Sequence, residues 1–387
     1  MRHRIRVLFA MGSMAGGGSE RQMVTLLEHI DRARFDPLLY LIYRRGELLP
    51  EIPPDVPVRA FGDECPHPRW NLPGRIHLAQ VRHLGRVLAA ERADVVYDRT
   101  MVMTLVAGPA ARRARVPRIS VVVADPERDL KSLPARFRWA KRRLLRRAYA
   151  QAEKVVAVSE ALRARMMDYH GVPPHRVTVI RNPIDLARAD RLAAQSPERF
   201  GDDRFHVVAS GRLQEQKGYV YLLDAVDRLV NARRRKQLML HVLGQGPQEP
   251  MLRSLVVQKG LEEHVRFEGF QANPFQFYRP AHLVCLASVF EGLPNVLLEA
   301  MACRTPVLAT DCPTGPREIV DGGRLGGLVP PADAAALADA IDDAMARYDR
   351  WLQRTGPARA WLEKHFSVEQ SVRAVEQLLF EAATGKR

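Results

Sequence analysis

The sequence predicts an α/β protein made of two doubly wound, Rossmann-like domains in tandem. Three observations predict it. Short apolar runs alternate with helix-period segments, which is the pattern of parallel strands joined by helices. The alternation stops at a turn-rich break, Arg181-Asn182-Pro183-Ile184-Asp185, and then restarts. The chain of 387 residues is long enough for two separate cores. The expected division is 1–187 for the first domain, 188–365 for the second, and 366–387 for a C-terminal helix crossing back to the first.

In the first half, Ile5 to Met11 reads as a strand, Glu20 to Ile30 as a helix and Pro37 to Tyr43 as a strand. His77 to Ala90 follows as a helix, then Asp94 to Tyr97 and Arg118 to Val123 as strands. Pro134 to Ala150 is a long basic helix, followed by strands at Lys154 to Val158 and His175 to Ile180. In the second half, strands are expected at Phe205 to Ser210, Leu238 to Leu243, Val265 to Glu268, His282 to Ser288 and Pro306 to Ala309. Helices are expected over Tyr219 to Asn231 and Val296 to Cys303, with Pro294 in the first turn of the latter, where a missing N–H costs little. Ser367 and Gln370 form a capping box that opens a last helix, Val368 to Phe380.

Composition narrows the function. Hydrophobic content of 47% and charged content of 27% are those of a globular protein. The N-terminal run Val7 to Met11 is too short for a signal-peptide core, and the longest apolar candidate, Met101 to Ala111, contains Gly108-Pro109 and is too short to span a bilayer. Cys65, Cys285, Cys303 and Cys312 fit no zinc or redox spacing, and Cys65 with His67 is too little for a metal. The twelve histidines show no helical pair, so no zinc site is expected. No P-loop and no G-x-S-x-G appears.

Net charge is +15, and its distribution matters more than its size. Residues 1–187 hold 33 Lys and Arg against 19 Asp and Glu, whereas residues 188–387 hold 26 against 25. The excess peaks between Arg112 and Arg147, with 13 basic and 3 acidic residues. Such a face attracts anionic lipid headgroups, phosphorylated acceptors or nucleic acid. From Pro134 to Ala150, Phe137, Trp139, Leu144, Leu145 and Tyr149 interleave with seven cations. That pattern suits a helix on a membrane surface, and equally a packed helix whose arginines face water.

Glu291-Gly292-Leu293-Pro294-Asn295-Val296-Leu297-Leu298-Glu299 is the most telling stretch. It sets two carboxylates eight residues apart across a strand-to-helix junction, with Glu291 in the loop and Glu299 a turn into the helix. Ligands of open α/β sheets bind outside the carboxyl ends of strands, and a helix start favours an anion. Hydroxyl-binding carboxylates beside an anion site describe a nucleotide sugar. Arg212 and Lys217, in the loop after the first strand of the second domain, would point at the same cleft and neutralise a diphosphate. Gly16-Gly17-Gly18, between the first strand and the first helix, is either a loop for close approach to a phosphate or a flexible turn. It is not G-x-G-x-x-G, and the second strand ends in Arg44-Arg45 rather than an acid that would hold a dinucleotide ribose. Asp125, Glu127 and Asp129 are the nearest approach to a carboxylate cluster, without a D-x-D metal pair.

Together these residues resemble the retaining glycosyltransferases of family 4, which have the GT-B fold. The resemblance runs from the glycine loop with Glu20-Arg21, through Val158-Ser159-Glu160, Asn182-Pro183-Ile184-Asp185, Gly211-Arg212-Leu213, Lys217-Gly218 and Gly244-Gln245-Gly246-Pro247, to Glu291 and Glu299 and Thr310 to Ile319. It implies an interdomain cleft, with the acceptor held by the first domain and the donor by the second. It further implies that Arg212 and Lys217 grip the donor diphosphate, with Gly17 and Gly18 approaching it. Glu291 meets sugar hydroxyls and Glu299 the ribose, Gly292, Leu293, Pro294, Asn295 and Val296 line the sugar and phosphate, and Phe270 faces the base. Catalysis would need no metal or other cofactor. Many members carry a first-domain histidine near the donor sugar; here Asp125 occupies that region, and its role is open.

This version of the signature is similar to bacterial enzymes that extend lipid-linked or surface glycans. The expectation is therefore transfer of a hexose or N-acetylhexosamine from a UDP-sugar to a lipid-linked glycan acceptor. The enzyme would be cytoplasmic and peripheral on the inner face of the membrane, its basic first domain against anionic lipid. A nucleotide-sugar epimerase of the same fold is the rival reading. A nucleic-acid-binding protein is a weaker one, because no reader motif accompanies the charge.

Overall fold

The computed structural model describes residues 4–65, 74–132, 136–195 and 200–385. The chain clusters into two units, Met1–Asn182 with Val368–Arg387, and Pro183–Ser367. Each is a parallel sheet flanked by helices.

The first unit has seven strands: β1 Ile5–Met11, β2 Phe35–Leu41, β3 Val58–Ala60, β4 Val95–Arg99, β5 Arg118–Val122, β6 Lys154–Ala157 and β7 Val177–Val179. Their order is β3-β2-β1-β4-β5-β6-β7, all pairs parallel. The central strands β4 and β5 are buried along their whole length, which is why their apolar residues run together rather than alternating. β2 begins two residues earlier than expected and contains Pro37. The proline is tolerated because β3 pairs only with Leu39 to Leu41, so β2 is locally an edge at Pro37. The last helix, Val368–Thr384, clusters with this unit: it buries Val372, Val375 and Leu379, and Glu376 accepts from the Asp31 backbone N–H at 2.8 Å.

The second unit has six strands: β8 Phe205–Ser210, β9 Leu238–Leu243, β10 Val265–Gly269, β11 Leu283–Leu286, β12 Val307–Thr310 and β13 Gly327–Val329, in the order β10-β9-β8-β11-β12-β13. Helices Tyr219–Asp227, Glu249–Gln258 and Ala334–Ala346 pack their apolar faces on it to close one core, built around Leu222, Val226, Leu240, Leu252, Leu283 and Ile341. Asp185, in the turn-rich break, caps helix Leu186–Ala193 by accepting from the Arg188 N–H at 2.8 Å. In each sheet the chain reverses its direction of winding once, between β1 and β4 and between β8 and β11. Those two switch points are where an open α/β sheet has a crevice.

Among the described residues, no helix is long and apolar enough to cross a membrane. Pro134 and Ala135 of the predicted basic helix, and His67, which was weighed with Cys65, lie outside the described residues.

Candidate functional site

The residues expected at the second unit's switch point do meet. Lys217 Nζ donates to Glu291 Oε1 at 2.6 Å, joining the loops that follow β8 and β11 across 74 residues of sequence. The two side chains are 16% and 7% exposed, so the pair is largely desolvated. Ser288 Oγ donates to the same oxygen at 2.7 Å. Glu291 Oε2 has no hydrogen-bond partner among the described residues and is the open face of the carboxylate.

The backbone beneath this pair is tightly specified. Gly218 adopts φ +64°, and a Cβ there would lie 2.1 Å from the Ala287 carbonyl oxygen, so only glycine lets the Lys217 loop approach β11. The Val289 N–H donates to the Gln216 carbonyl at 2.8 Å, and Gln216 Nε2 donates to the Phe290 carbonyl at 2.9 Å. Thr310 Oγ1 donates to the Ser288 carbonyl, and Thr314 Oγ1 to that of Glu291. Gly315, at φ +91°, would place a Cβ 2.4 Å from the Gly292 oxygen. The stretch from Thr310 to Gly315 is thus the floor that holds Glu291.

Helix Asn295–Ala302 starts after Pro294, which takes the cap position rather than the first turn and offers no side-chain cap. Its positive end faces the region outside the strand ends. Glu299, on this helix, accepts from Tyr278 Oη at 3.3 Å. Tyr278 is wholly buried, and burial, with the Glu299 charge, pushes its hydroxyl well above the ordinary range. It serves as a fixed donor beneath Glu299. Arg212 follows Gly211 at the end of β8 and is exposed; among the described residues it makes no ion pair. Phe270 follows β10, two strands further from the switch point than β8, and is also half-buried. The β9 and β10 ends are tied by the Gly244 N–H donating to the Gly269 carbonyl at 2.7 Å.

In the first unit, Gly17 is the cap of helix Gly18–His29, with no side-chain cap of its own. Asp125 is fully engaged in local structure. Oδ1 accepts from the Glu127 and Arg128 N–H groups at 3.1 and 3.0 Å, capping helix Pro126–Ser132, and Oδ2 accepts from Arg165 Nε at 2.8 Å. Neighbouring Asp129 is pushed up to about 6 by burial and by the charge of Asp125. The basic helix, Arg138–Ala150, divides its apolar residues: Leu145 and Tyr149 are buried, whereas Trp139 is 73% and Leu144 46% exposed.

Sequence reasoning missed Ser288, Thr314 and Tyr278, whose roles depend on contacts 3, 23 and 21 residues away. It also missed a buried polar chain under β8 to β10. Asp202 Oδ1 meets His206 Nε2 at 2.8 Å, His206 Nδ1 meets His241 Nε2 at 3.0 Å, and His241 Nδ1 meets Glu268 Oε1 at 2.7 Å. Two neutral imidazoles carry two protons between them, so the three hydrogen bonds of the chain need one proton more, on a ring nitrogen or a carboxyl. Among the described residues no group of His, Cys, Asp and Glu is arranged to hold a metal.

Known families match both units. A family model for glycosyltransferase family 4 covers residues 16–188, and one for group 1 glycosyl transferases covers residues 204–347. A GDP-mannose-dependent α-(1-6)-phosphatidylinositol monomannoside mannosyltransferase of Mycolicibacterium smegmatis is 30% identical over 282 residues, 67% of this chain and 69% of that protein. This chain is a family 4 glycosyltransferase.

The glycosyltransferase is also 27% identical, over 82% of its length and 84% of the relative's, to a 4-α-N-acetylgalactosaminyltransferase of Campylobacter jejuni. The name of that relative specifies a diphospho-undecaprenol-linked acceptor. Other curated relatives match over only 36% or 53% of their own length. Its fold superposes on Anabaena HepE, solved with UDP and glucose, with a TM-score of 0.79 and 23% identity over 97% of this chain and 99% of that one. The GT-B architecture of two Rossmann-like units is therefore established for this glycosyltransferase, and it is related to bacterial lipopolysaccharide and glycan glycosyltransferases.

Proposed function

We propose that the protein transfers a hexose or N-acetylhexosamine from a UDP-sugar to a lipid-linked glycan acceptor, with retention of anomeric configuration and without a metal. The observation that carries the donor reading is the Lys217–Glu291 pair beside Arg212, which makes no ion pair among the described residues, and a helix start without a side-chain cap. In this reading Lys217 and Arg212 take the diphosphate, and Lys217 shares its charge between phosphate and Glu291. Glu291 Oε2 accepts from a sugar hydroxyl, and Glu299, held by Tyr278, accepts from the ribose. Gly292 to Val296 line the sugar and phosphate, Phe270 covers the base, and Gly17 and Gly18 approach the phosphates. Front-face transfer then demands mainly that the departing diphosphate be stabilised, which two cations and a helix start can supply. The lipid-linked acceptor is supported by the Campylobacter relative; the Mycolicibacterium relative makes GDP the competing nucleotide.

Calorimetric titration with UDP- and GDP-sugars, followed by transfer assays to polyprenyl-diphosphate glycans, tests this. Release of nucleoside diphosphate should require acceptor. An isomerised nucleotide sugar as the sole product would replace the transferase with the epimerase reading.

The same reading places the first unit on the inner face of a bacterial membrane, through helix Arg138–Ala150. Exposed Trp139 and Leu144 among Arg142, Arg143, Arg146 and Arg147 form the mixed apolar and cationic face that binds anionic interfaces. Each cation near an anionic surface is worth about 1 kcal/mol. Removing Arg142, Arg143 and Arg146 together should therefore lower partitioning onto phosphatidylglycerol vesicles by more than about tenfold. Trp139→Ser should lower it several-fold at any salt concentration. Equal partitioning of all three proteins would remove the membrane role of this helix.

A further inference from the structure

Two buried histidines hold the segment that carries Phe270. His206 on β8 and His241 on β9 are 2% and 3% exposed. Their strand neighbours Phe205, Val207, Leu240 and Val242 belong to the main core, so the two imidazoles lie on the opposite face of the sheet. Phe200 stacks on His206 with ring centroids 4.1 Å apart, and Phe277 stands beside His241. The rings bond to each other and to a carboxylate at either end, Asp202 and Glu268. The Glu268 end lies where the backbone turns. β10 pairs Arg266, Phe267 and Gly269 with His241, Val242 and Leu243, so Glu268 is an extra residue in the ladder, a bulge. Gly269 then takes φ +69° and Phe270 follows. Gln271 Nε2 donates back to the Glu268 carbonyl at 2.6 Å. The Glu268 side chain is thus the link by which His241 fixes the bulge, and a bulge aims the residues beside it.

With both carboxylates ionised and both rings neutral, this chain is one proton short. His206 Nε2 and His241 Nδ1 carry the hydrogens that face the carboxylates. The two nitrogens left, 3.0 Å apart, are then both bare. His83 shows a complete arrangement in the same protein. Its Nδ1 meets the Tyr40 hydroxyl at 3.0 Å and its Nε2 meets Glu64 at 2.9 Å, so a neutral ring and a hydroxyl donor satisfy both contacts. The groups around the His206–His241 pair do not supply the proton. Asp202 also accepts from Arg204, which holds its carboxyl far below the usual range. His282 Nδ1 accepts from the His206 backbone N–H at 3.0 Å, and burial pushes that imidazole down. Arg266, the register partner of His241, adds a positive charge. Burial pushes His206 down as well, with Asp202 acting in the opposite sense and His241 in the same one. The missing proton is therefore absent in mild alkali and arrives on acidification, on the pair or on Glu268.

We propose that His206 and His241 are positioning residues for the donor base. They act through Glu268 on the turn at Gly269 and Phe270, and one proton completes the chain and tightens the hold on the nucleotide. The link to the base rests on the reading of Phe270 as its cover; the proton rests on the chain alone.

The test is calorimetric titration of the full chain with UDP and with inorganic pyrophosphate, using wild type, Glu268→Gln and His241→Leu, at about pH 5 and about pH 8, the limits between which histidine titrates. Phosphates titrate in the same range, so the quantity read is each variant's affinity relative to wild type at one pH. Glutamine at 268 donates an N–H to His241 Nδ1, which lets all three bonds form with two neutral rings. Glu268→Gln is expected to match wild type for UDP in acid and to bind it about threefold or more tightly in alkali, where wild type lacks one hydrogen bond. His241→Leu cuts the chain and is expected to bind UDP several-fold more weakly than wild type in acid. Pyrophosphate, which has no base, is expected to bind all three proteins alike at each pH. A Glu268→Gln to wild-type ratio for UDP that does not change with pH overturns the proposal. Equal losses of UDP and pyrophosphate in His241→Leu also overturn it, because the chain would then be a general brace. Should His241→Leu fail to fold, Glu268→Gln decides alone. Pyrophosphate binding without UDP binding in wild type would sink the donor reading instead. The proton is then read from nitrogen NMR spectra of histidine-labelled protein. The pair should change its protonation pattern with pH in wild type and keep one pattern in Glu268→Gln; an unchanged pattern in both removes the proton.

Discussion

Lys217→Met is expected to lose nucleoside diphosphate binding and to destabilise the second unit in the same stroke. Among the described residues, Lys217 is the only partner that brings positive charge to Glu291, and both groups are mostly shielded from water. Removing one member of a buried pair strands the other, at a typical cost of about 3–5 kcal/mol; with Lys217 16% exposed, the lower end of that range is expected. Ser288 alone cannot compensate a buried carboxylate. Loss of a charge-assisted bond to phosphate removes a further ~1.5–3 kcal/mol of binding, or roughly 10- to 150-fold in affinity. The two effects separate in the double variant Lys217→Met with Glu291→Gln. Neutralising the stranded carboxylate should restore most of the stability measured by denaturant unfolding, while UDP affinity measured by calorimetry stays low. A single variant as stable as wild type would mean that the pair is not a desolvated unit.

The strands were legible because a parallel sheet buried on both faces is built mainly from apolar and β-branched residues, even where it also buries Asp98, Arg118, His206 and His241. β1, β4, β5, β8 and β9 are of this kind. The edge strands Val58–Ala60 and Gly327–Val329 are three residues long and carry no such signal, so they were missed. Helix Met101–Ala114 was hidden by Gly108-Pro109 inside it. The structure shows why the glycine is there: a Cβ at Gly108 would lie 2.8 Å from that of Ala148 on the basic helix. That interruption in the local pattern is a packing requirement of a helix 40 residues away, which no window of sequence contains.

The candidate site divides the same way. The types and order of Arg212, Lys217, Glu291 and Glu299 were readable, because charged residues at strand ends in a buried sheet need a reason. What was not readable is which of them touch. The Lys217–Glu291 contact exists only because β8 and β11 are neighbours at the switch point, a property of the strand order. The same holds for His206 and His241, 35 residues apart in sequence and 3.0 Å apart on adjacent strands.

Glu291→Gln should lower turnover by about 100-fold or more, by analogy with removing one preorganised polar group from a transition-state site, while leaving UDP affinity unchanged or slightly tighter. The substitution keeps shape and size, so the loop on Thr310, Thr314 and Gly315 has no reason to move. It changes two things. The open oxygen, Oε2, no longer belongs to a carboxylate, so a sugar hydroxyl loses its charge-assisted partner at the stage where charge develops on the ring. Lys217 also loses the anion that now offsets it, and a more positive ammonium holds a diphosphate at least as well. A residue that only braced the Lys217 loop would behave in the opposite way, weakening UDP in step with turnover. The measurement is therefore the pair of values, kcat for transfer and Kd for UDP, from one preparation. Full turnover in Glu291→Gln would remove the carboxylate from the reaction. A fall in UDP affinity matching the fall in rate would reassign it from the sugar to the nucleotide.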